Sequence, residues 1–369
     1  MKKIIIFVND YDYFISHKYD VFKKFNKKKY LFEIYSPHKK NYRKSNFYFH
    51  SFFINSLSIN IFKEILTFFH MLFIIIKNKD QIFHYYTIKP IFYGSILSKI
   101  FFIKKNLFIF SGLGNIILGK KNFFIRKILF YILKITLSSS DHKFIFQNKF
   151  DFNFLKKSQI IKSKNIFFTL GSGLDLKNMP KLKNKNKKTI NIVMPCRMKY
   201  HKGVIDFIEI AKCFKNSKNN INFFLAGKTK NSNDYLKYSY LKKLNKMKNN
   251  LKWLGEIKKN KLYELADIIL ILSYYGEGIP RVILESTYYG KKIISYKIPG
   301  CKDVIMENLN GYLVKPHDQK SVCLKIEMLY RNRNLLKKNS KIAKNFAVSN
   351  FGINEVKIVY EKIYSQFKN

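Results

Sequence analysis

The feature that most constrains the fold is an alternation of short apolar runs with segments of helical periodicity, which occurs once before and once after a polar break. Before the break, strands are predicted at residues 4–8, 31–35, 81–85, 107–110, 144–146 and 166–170. After it, they are predicted at residues 190–194, 221–225, 251–254, 268–272, 292–295 and 312–314. Alternation of this kind is typical of parallel sheets covered by helices on both faces.

The polar break is the sequence KLKNKNKK at residues 181–188, which has neither periodicity nor interleaved aromatic residues. A linker is therefore favoured there over a nucleic-acid-binding patch. We predict an α/β chain with a Rossmann-like domain over residues 1–178, a linker over 179–188 and a second Rossmann-like domain over 189–350. Because such sheets bind ligands beyond the carboxyl ends of their strands, an active site is expected in a cleft that the two domains face.

Length and composition agree with two domains. The chain has 369 residues, of which 47% are hydrophobic, so it can fill two cores. Near the C-terminus, apolar residues recur at helical spacing, namely Ile353, Val356, Val359, Tyr360, Ile363 and Tyr364. This spacing predicts a helix within residues 351–369 that packs back on the first domain.

The formal net charge of +47 suggests a nucleic acid or an anionic membrane as a partner. The basic residues are spread over both halves, however, and the abundance of Lys, Asn, Ile, Phe and Tyr is what nucleotide bias in a coding sequence could produce. Each Lys or Arg near an anionic leaflet contributes about 1 kcal/mol of attraction. We therefore expect weak adhesion to an anionic membrane surface and no specific nucleic-acid partner.

The four cysteines are widely separated and form no C-x-x-C element, which fits a reducing cytoplasm. The apolar N-terminus is followed at once by Asn9 and Asp10, so it is interpreted as a first strand and export is not expected. The apolar run at residues 65–76 is shorter than the roughly 20 residues that a membrane span requires. A cytoplasmic protein, peripheral at the inner face of the plasma membrane, is expected.

A glycine-rich turn before a helix start is the most informative motif. Gly276 and Gly278 let the backbone approach a ligand closely, and Pro280 fits a first helical turn, whose free amides would face an anion. Glu277 is then in the turn and Glu285 about a turn and a half inside the helix. The two carboxylates can hold two different parts of one ligand.

A second motif supplies cations. Arg197 and Lys202 lie in the loop that follows the predicted strand at residues 190–194, just before a helix. Two fixed cations there suit a diphosphate. When a bond to a nucleoside diphosphate breaks, negative charge grows on the leaving group, so preorganised cations lower the barrier.

With their flanks, residues 274–303 resemble the donor-site signature of retaining GT-B glycosyltransferases of family 4, whose mark is two glutamates with seven residues between them. The resemblance implies that Glu277 meets hydroxyls of the transferred sugar and that Glu285 meets the ribose of the nucleotide. The family carries the same R-x4-K pair, here Arg197 and Lys202, on the donor phosphates.

The resemblance also implies further donor contacts. The turn and helix start around the two glutamates would contact the donor, and the backbone of the loop at residues 256–257 would lie against the nucleobase. The implied residues are Gly276, Gly278, Ile279, Pro280, Arg281, Glu256 and Ile257. For Arg281, an influence on sugar choice and a solvent-facing position at a helix start are equally open.

Residues 12–18, 84–90, 111–114, 146–148 and 171–176 are similar to the branch of family 4 that extends sugars on polyprenyl diphosphate carriers. The similarity implies contacts to the acceptor by His17 and Lys89, and to donor phosphate by Gly112 and Gly114. For His17 a structural role is equally open. Two departures leave the acceptor geometry open: the loop at residues 9–16 has no Gly-Gly turn, and residues 111–115 contain no histidine.

Asp10 and Asp12 form a D-x-D element, with which a different transferase fold holds a metal. They lie far in sequence from Arg197 and Glu277, and no His, Cys and Asp residues occur together at metal-ligand spacing. We expect no metal and no cofactor other than the nucleotide-sugar donor.

The resulting hypothesis is a retaining glycosyltransferase that moves a hexosamine or hexose from a UDP-sugar to a polyprenyl-diphosphate-linked saccharide. Such an enzyme serves the biosynthesis of cell-surface polysaccharide, for example lipopolysaccharide or capsule. The alternative from another class is a basic RNA- or anionic-lipid-binding protein with an inactive GT-B shell, motivated by the charge of +47. Another GT-B enzyme, such as a UDP-sugar epimerase, is a third possibility.

Overall fold

The structure is a computed structural model that describes all residues except 39, 55–59, 114–122, 139–140, 163, 184–188, 216–219, 247–249, 277, 308 and 368–369. The chain divides into two compact units. Unit 1 comprises Met1–Asp175 with Ile353–Asn369, and unit 2 comprises Leu176–Gly352. Each unit has its own largely parallel sheet, which confirms the predicted α/β fold class. Residues 181–183 of the predicted linker form neither helix nor strand.

The sheet of unit 1 has eight strands within the described residues, in the order β3-β4-β2-β1-β5-β6-β7-β8. Its neighbouring strands pair in parallel, apart from the antiparallel pair of β3 and β4. The strands are β1 Lys2–Val8, β2 Tyr30–Ser36, β3 Tyr42–Lys44, β4 Phe47–Ser51, β5 Ile82–Tyr86, β6 Asn106–Phe110, β7 Lys143–Phe146 and β8 Ile166–Phe168.

Strands β3 and β4 were missed by the sequence prediction. Residues Tyr42–Lys44 are all exposed and include two cations, as is common on the edge of a sheet. The adjacent strand Phe47–Ser51 is short and mixes apolar with polar residues. Neither segment has the apolar run that identifies a buried strand.

Helices cover both faces of this sheet. Helices α1, α2 and α14 pack on one face, around a core that includes Phe14, Phe22 and Tyr360. Helices α3 to α6 pack on the other, around a core that includes Met71 and Leu133. The helices are α1 Tyr11–His17, α2 Tyr19–Phe22, α3 Ile61–Lys77, α4 Ile88–Ile100, α5 Phe123–Thr136, α6 Lys149–Lys157 and α14 Ile353–Ser365.

The last helix, α14, belongs to unit 1. The Ile353 amide donates to the carbonyl of Leu174 across 3.0 Å at its start. Gly173, with a φ of +79°, lies so close that a Cβ there would be 3.0 Å from the Cα of Ile353. Further along the helix, the hydroxyls of Tyr360 and Tyr86 are 2.6 Å apart. The apolar spacing read from the sequence thus corresponds to the face that α14 buries in unit 1.

The sheet of unit 2 has six parallel strands within the described residues, in the order β11-β10-β9-β12-β13-β14. They are β9 Ile190–Pro195, β10 Ile221–Ala226, β11 Leu251–Trp253, β12 Ile268–Ile271, β13 Lys292–Tyr296 and β14 Gly311–Val314. The helices are α7 Val204–Cys213, α8 Tyr238–Lys246, α9 Lys259–Leu265, α10 Arg281–Tyr288, α11 Gln319–Arg331, α12 Asn334–Lys337 and α13 Ser340–Asn350. None of the helices in the described part of the chain has the length and hydrophobicity that a membrane span requires.

The strand order of unit 2 reverses between β9 and β12. Strand β9 pairs with β10 on one side and with β12 on the other. The loops that leave the carboxyl ends of β9 and β12 therefore lead in opposite directions, which opens a crevice between them. Ligands of open parallel sheets bind at such a point. Arg197 and Lys202 follow β9, and the glycine-rich turn follows β12.

Candidate functional site

The loops after β9 and β12 are held against each other. A short 3-10 helix, Tyr200–Lys202, leads to Gly203, which has a φ of +78° and precedes α7. A Cβ at Gly203 would lie 2.1 Å from the carbonyl oxygen of Leu272, so only glycine fits this approach. The Tyr274 amide also donates to the His201 carbonyl across 3.0 Å. The predicted cations and the glycine-rich turn are thus brought to one edge of the sheet.

Positive charge is concentrated in the loop after β9. Burial lowers the pKa of the Lys199 ammonium, and the charge of Arg197 lowers it further. Asp234 acts in the opposite direction, with an oxygen 3.8 Å from Lys199 Nζ, while Lys202 and Lys230 again lower the pKa. Four basic side chains therefore sense one another around one carboxylate, which leaves a surplus of positive charge. An anion bound here would relieve the repulsion among them.

The glycine-rich turn packs closely on the next loop. A Cβ at Gly276 would lie 2.9 Å from Pro299, and Gly278 and Ile279 are buried. Pro280 is the N-cap of α10, so the helix begins at Arg281, just after the predicted start. Glu277, the predicted sugar contact, lies outside the described residues.

Glu285 is 6% exposed and lies in α10, as predicted. Its Oε1 is 2.7 Å from Lys259 Nζ and 3.0 Å from Arg281 Nε, and its Oε2 accepts a hydrogen bond from the Tyr263 hydroxyl at 2.9 Å. Two cations and a hydroxyl therefore favour the ionised carboxylate. The prediction that Glu285 meets a ribose stays a prediction. The solvent-facing alternative for Arg281 is wrong, because this side chain is bound to Glu285.

The loop after β11 is joined to the one after β10. The Gly227 amide donates to the Gly255 carbonyl across 2.7 Å, and the indole of Trp253 donates to the Gly227 carbonyl across 3.0 Å. A Cβ at Gly227 would meet the carbonyl oxygen of Cys196 at 1.8 Å. The loop that carries the predicted contacts Glu256 and Ile257 is thus linked, through Gly227, to the residue before Arg197. The Glu256 side chain is exposed and pairs with Lys228 at 2.8 Å.

The D-x-D element in unit 1 has a structural explanation. Asp10 is the N-cap of α1, where its Oδ1 accepts from the Tyr13 amide at 3.0 Å. A cap of this kind typically contributes about 1 kcal/mol to stability. In the described part of the chain, no group of His, Cys, Asp and Glu side chains could hold a metal ion.

The other candidates in unit 1 lie beyond the carboxyl ends of its strands. His17 stacks on Tyr13 with ring centroids 4.9 Å apart, and its Nδ1 is 2.7 Å from Ser16 Oγ. Lys89, near the start of α4, forms an ion pair with Glu64 at 2.6 Å. Gly112 has a φ of +133° after β6, and Gly114 lies outside the described residues. Contacts of these four residues with acceptor or donor stay predictions.

Asp206 was missed by the sequence reasoning. It is 5% exposed in the first turn of α7. Its oxygens accept hydrogen bonds from the hydroxyl of Tyr274 at 2.9 Å, the hydroxyl of Tyr296 at 2.5 Å and the amide of Gln319 at 3.0 Å. His317 Nδ1 lies 3.6 Å away. In the sequence, an acid soon after a helix start looks like an ordinary residue that favours the helix dipole.

Comparison with known proteins agrees with this geometry. Residues 175–346 match the model of the family described as Glycosyl transferases group 1. A Campylobacter jejuni transferase, named as an α-1,4-N-acetyl-D-galactosaminyltransferase acting on a diphospho-undecaprenol-linked saccharide, is 29% identical over 176 residues, 47% of each chain. The N,N'-diacetylbacillosaminyl-diphospho-undecaprenol α-1,3-N-acetylgalactosaminyltransferase of the same organism is 28% identical over 253 residues, 64% of this chain and 63% of that one. The first relatives are thus matched over only about half to two thirds of their length.

Solved structures match over nearly the whole chain. Sucrose-phosphate synthase from Thermosynechococcus elongatus superposes with a TM-score of 0.78 and 14% identity, covering 99% of both chains. The HepE protein of Anabaena, solved with UDP and glucose, superposes with a TM-score of 0.74 and 14% identity over 99% of this chain and 100% of that one. At such low identity these likenesses concern the fold alone. Together with the match of residues 175–346, they identify the chain as a member of the group 1 glycosyltransferases, with the GT-B fold.

Proposed function

We propose that the protein is a retaining glycosyltransferase that moves a hexosamine or hexose from a UDP-sugar to a saccharide carried on a polyprenyl diphosphate. The observation that carries the proposal is the placement of the Arg197 and Lys202 loop beside the Gly276 turn, where the strand order of unit 2 reverses. Surplus positive charge there suits the diphosphate of a donor.

Two relatives support the choice of acceptor and sugar. The matched Campylobacter jejuni proteins are named as N-acetylgalactosaminyltransferases that act on diphospho-undecaprenol-linked saccharides. HepE, which has the same fold, was solved with UDP and glucose. We therefore propose an N-acetylhexosamine or hexose as the transferred sugar, UDP as its carrier and a lipid-linked saccharide as the acceptor.

In the proposed mechanism, Arg197 and Lys202 bind the diphosphate and stabilise the negative charge that grows on it as the glycosidic phosphate bond breaks. We assign Glu277 to hydroxyls of the transferred sugar and Glu285 to the ribose. The incoming hydroxyl attacks from the face that the diphosphate leaves, and the leaving oxygen takes up its proton. The product then has the α configuration of the donor, and correct alignment of the two substrates lowers the barrier.

The proposed location is the cytoplasmic face of a membrane, because a polyprenyl carrier resides in the bilayer. A net charge of +47 favours association with an anionic leaflet. The chain would act there as a peripheral enzyme in the biosynthesis of cell-surface polysaccharide or glycan, such as lipopolysaccharide or capsule.

A thermal-shift panel of UDP- and GDP-sugars tests the proposal. A donor at about 100 times its Kd should add about 2.7 kcal/mol to the stability of the folded state, because it binds only that state. Arg197→Ala and Lys202→Ala should lose most of this shift. Lys212→Ala is the matched control, since Lys212 lies at the far end of α7 and pairs with Glu209 at the surface.

The same experiment distinguishes the alternative. A basic RNA- or anionic-lipid-binding protein with an inactive shell would show no shift with any nucleotide-sugar, together with tight, strongly salt-dependent binding of RNA. That pair of results would refute the proposed transfer.

A further inference from the structure

Helix α3 of unit 1 is apolar on both of its sides. Its inner side contributes Met71, Ile74 and Ile75 to the core beneath the sheet. Six large apolar residues are exposed on the opposite side, and Phe62 among them is 81% exposed. They recur three or four positions apart, apart from one adjacent pair, which places them on one face of a helix. They are Phe62, Ile65, Leu66, Phe69, Phe73 and Ile76.

Helix α5 has the same character. Leu133 and Thr136 are buried on its inner side. On its outer side, apolar residues are exposed at alternating spacings of four and three, and Phe124 is 74% exposed. They are Phe124, Ile128, Tyr131 and Ile135. We call these residues, together with the six of α3, the outer apolar stripes.

The outer apolar stripes lie on one side of unit 1. Helix α4 contacts both α3 and α5, and all three helices contribute to the same core on the same face of the sheet. Since each stripe is opposite to the buried side of its helix, both stripes face away from that face of the sheet. A soluble surface rarely exposes so many large apolar side chains in one region, so something covers them.

Basic residues accompany the stripes. Lys63 and Lys77 are exposed on α3, and Lys127 and Lys134 are exposed on α5. The two helices contain a single acidic residue, Glu64, which is bound by Lys89 at 2.6 Å. The surface therefore combines exposed apolar groups with positive charge, which is the composition of helices that lie in the interface of an anionic bilayer.

Two other occupants fit less well. A second copy of the chain would bring two basic surfaces of a +47 protein together, at a cost in repulsion. A spanning arrangement is excluded for these helices, since neither α3 nor α5 has the length and hydrophobicity required. An anionic lipid surface satisfies both the apolar residues and the lysines.

We propose that α3 and α5 dock flat on an anionic bilayer, with the outer apolar stripes at the boundary between head groups and acyl chains and the flanking lysines on lipid phosphates. The depth of entry expected for such helices is about 5–10 Å. This docking deepens the proposed function, because it names the surface that brings the enzyme to a lipid-linked acceptor.

The test is co-sedimentation of the full chain with vesicles of equal parts phosphatidylcholine and phosphatidylglycerol, in the absence of donor and acceptor. The variants are Leu66→Glu with Phe69→Glu on α3, and Ile128→Glu with Tyr131→Glu on α5. Each pair should weaken vesicle binding about tenfold or more, because it places two charges at the lipid boundary. The control pair, Leu324→Glu with Ile342→Glu, alters equally exposed apolar residues on helices of unit 2 and should bind like the wild type.

Thermal unfolding of each variant checks that it folds, and Phe69→Asn with Tyr131→Asn is the milder substitute if a charged pair does not. Binding by the stripe variants as tight as that of the wild type would overturn the docking proposal. Equal binding of the wild type to neutral phosphatidylcholine vesicles, or dimers that only the stripe variants abolish, would overturn it as well. Because no sugar substrate is present, vesicle binding by a protein that fails the donor panel would reject the transferase proposal alone.

Discussion

The hydroxyl of Tyr274 donates a hydrogen bond to the buried carboxylate of Asp206 across 2.9 Å. This bond ties the loop after β12 to the first turn of α7. Lys202 lies just before that helix, and Gly276 lies just after Tyr274. One carboxylate thus connects the two loops that carry the proposed diphosphate and sugar contacts.

Asp206→Ala should lower the free energy of unfolding by about 3 kcal/mol, because the buried Tyr296 hydroxyl and the Gln319 amide lose their acceptor along with Tyr274. It should also raise the KM for the donor, since the Gly276 turn is released. Chemical denaturation and steady-state kinetics provide the measurements. Glu209→Ala, on the exposed side of the same helix, is the control and should change stability by less than about 0.5 kcal/mol. Equal effects of the two substitutions would refute this role for Asp206.

Glu277→Ala should lower kcat about 100-fold or more at saturating donor, because the proposed sugar contact strengthens in the transition state. Product formation with a lipid-linked acceptor is the measurement. Glu327→Ala, a surface residue of α11, serves as the control. Full turnover by the Glu277 variant would remove this residue from the proposed mechanism.

Glu285→Gln keeps the shape of the side chain but leaves Lys259 and Arg281 without their counter-charge. We expect a loss of about 2 kcal/mol in stability, since the carboxylate is buried while the cations reach solvent in part. Thermal unfolding without ligand measures it. Glu327→Gln removes an exposed pair and should be neutral within about 0.5 kcal/mol. A neutral result at Glu285 would contradict the stabilising role of this cluster.

Gly203→Ala should destabilise the protein by about 3 kcal/mol or more, because the new Cβ meets the Leu272 carbonyl oxygen and the backbone is left-handed. Gly255→Ala is a matched control. Gly255 also has a positive φ, +66°, but a Cβ there would meet nothing within 4 Å, so only about 1 kcal/mol is expected. Denaturant titration of both variants separates the clash from the backbone cost. Similar losses would show that the close approach at Leu272 is unimportant.

Acidification should destabilise unit 1 through His84. Burial lowers the pKa of this imidazole from 6.5 to about 3, and its tyrosine neighbours Tyr86, Tyr360 and Tyr364 stay neutral because burial raises their pKa values. Below pH 6.5 the unfolded chain binds a proton that the folded chain refuses, so stability is complete above that pH and falls towards pH 3.

The expected slope from this one group is about 1.4 kcal/mol per pH unit within that window. His84→Phe should remove that part of the acid dependence in denaturant titrations at pH 7, 6 and 5. His142→Phe is a useful comparison, since burial lowers the pKa of His142 to about 4 and gives it a similar window. An unchanged slope in the His84 variant would contradict the assignment.

Local patterns determined most of the fold. The apolar runs of the central strands, such as Ile4 to Val8 and Ile268 to Leu272, are buried on both sides, so they can be recognised without knowing their neighbours. Strand β3 could not be recognised, because Tyr42–Lys44 is exposed and is a strand only through its pairing with β4. The alternation of strands and helices predicted two parallel sheets but not their strand order.

For the site, the sequence indicated Arg197, Lys202 and the glycine-rich turn, because residue type and position after a strand suffice to suggest a diphosphate site. It could not indicate Asp206, whose hydrogen-bond donors Tyr274, Tyr296 and Gln319 lie far from it in the chain. Nor could it show that Glu285 is shared by Lys259 and Tyr263 of another helix.

The chain by itself therefore determined the fold class, the two sheets and the segments that could bind a donor, since these depend on periodicity and on residues close in sequence. Only the tertiary structure decided which side chains meet and which apolar residues stay exposed. In α3, Phe69 and Met71 are both apolar and differ by two positions, yet one is exposed and the other buried. The direction of the sheet sets that difference, and hydrophobicity alone does not encode it.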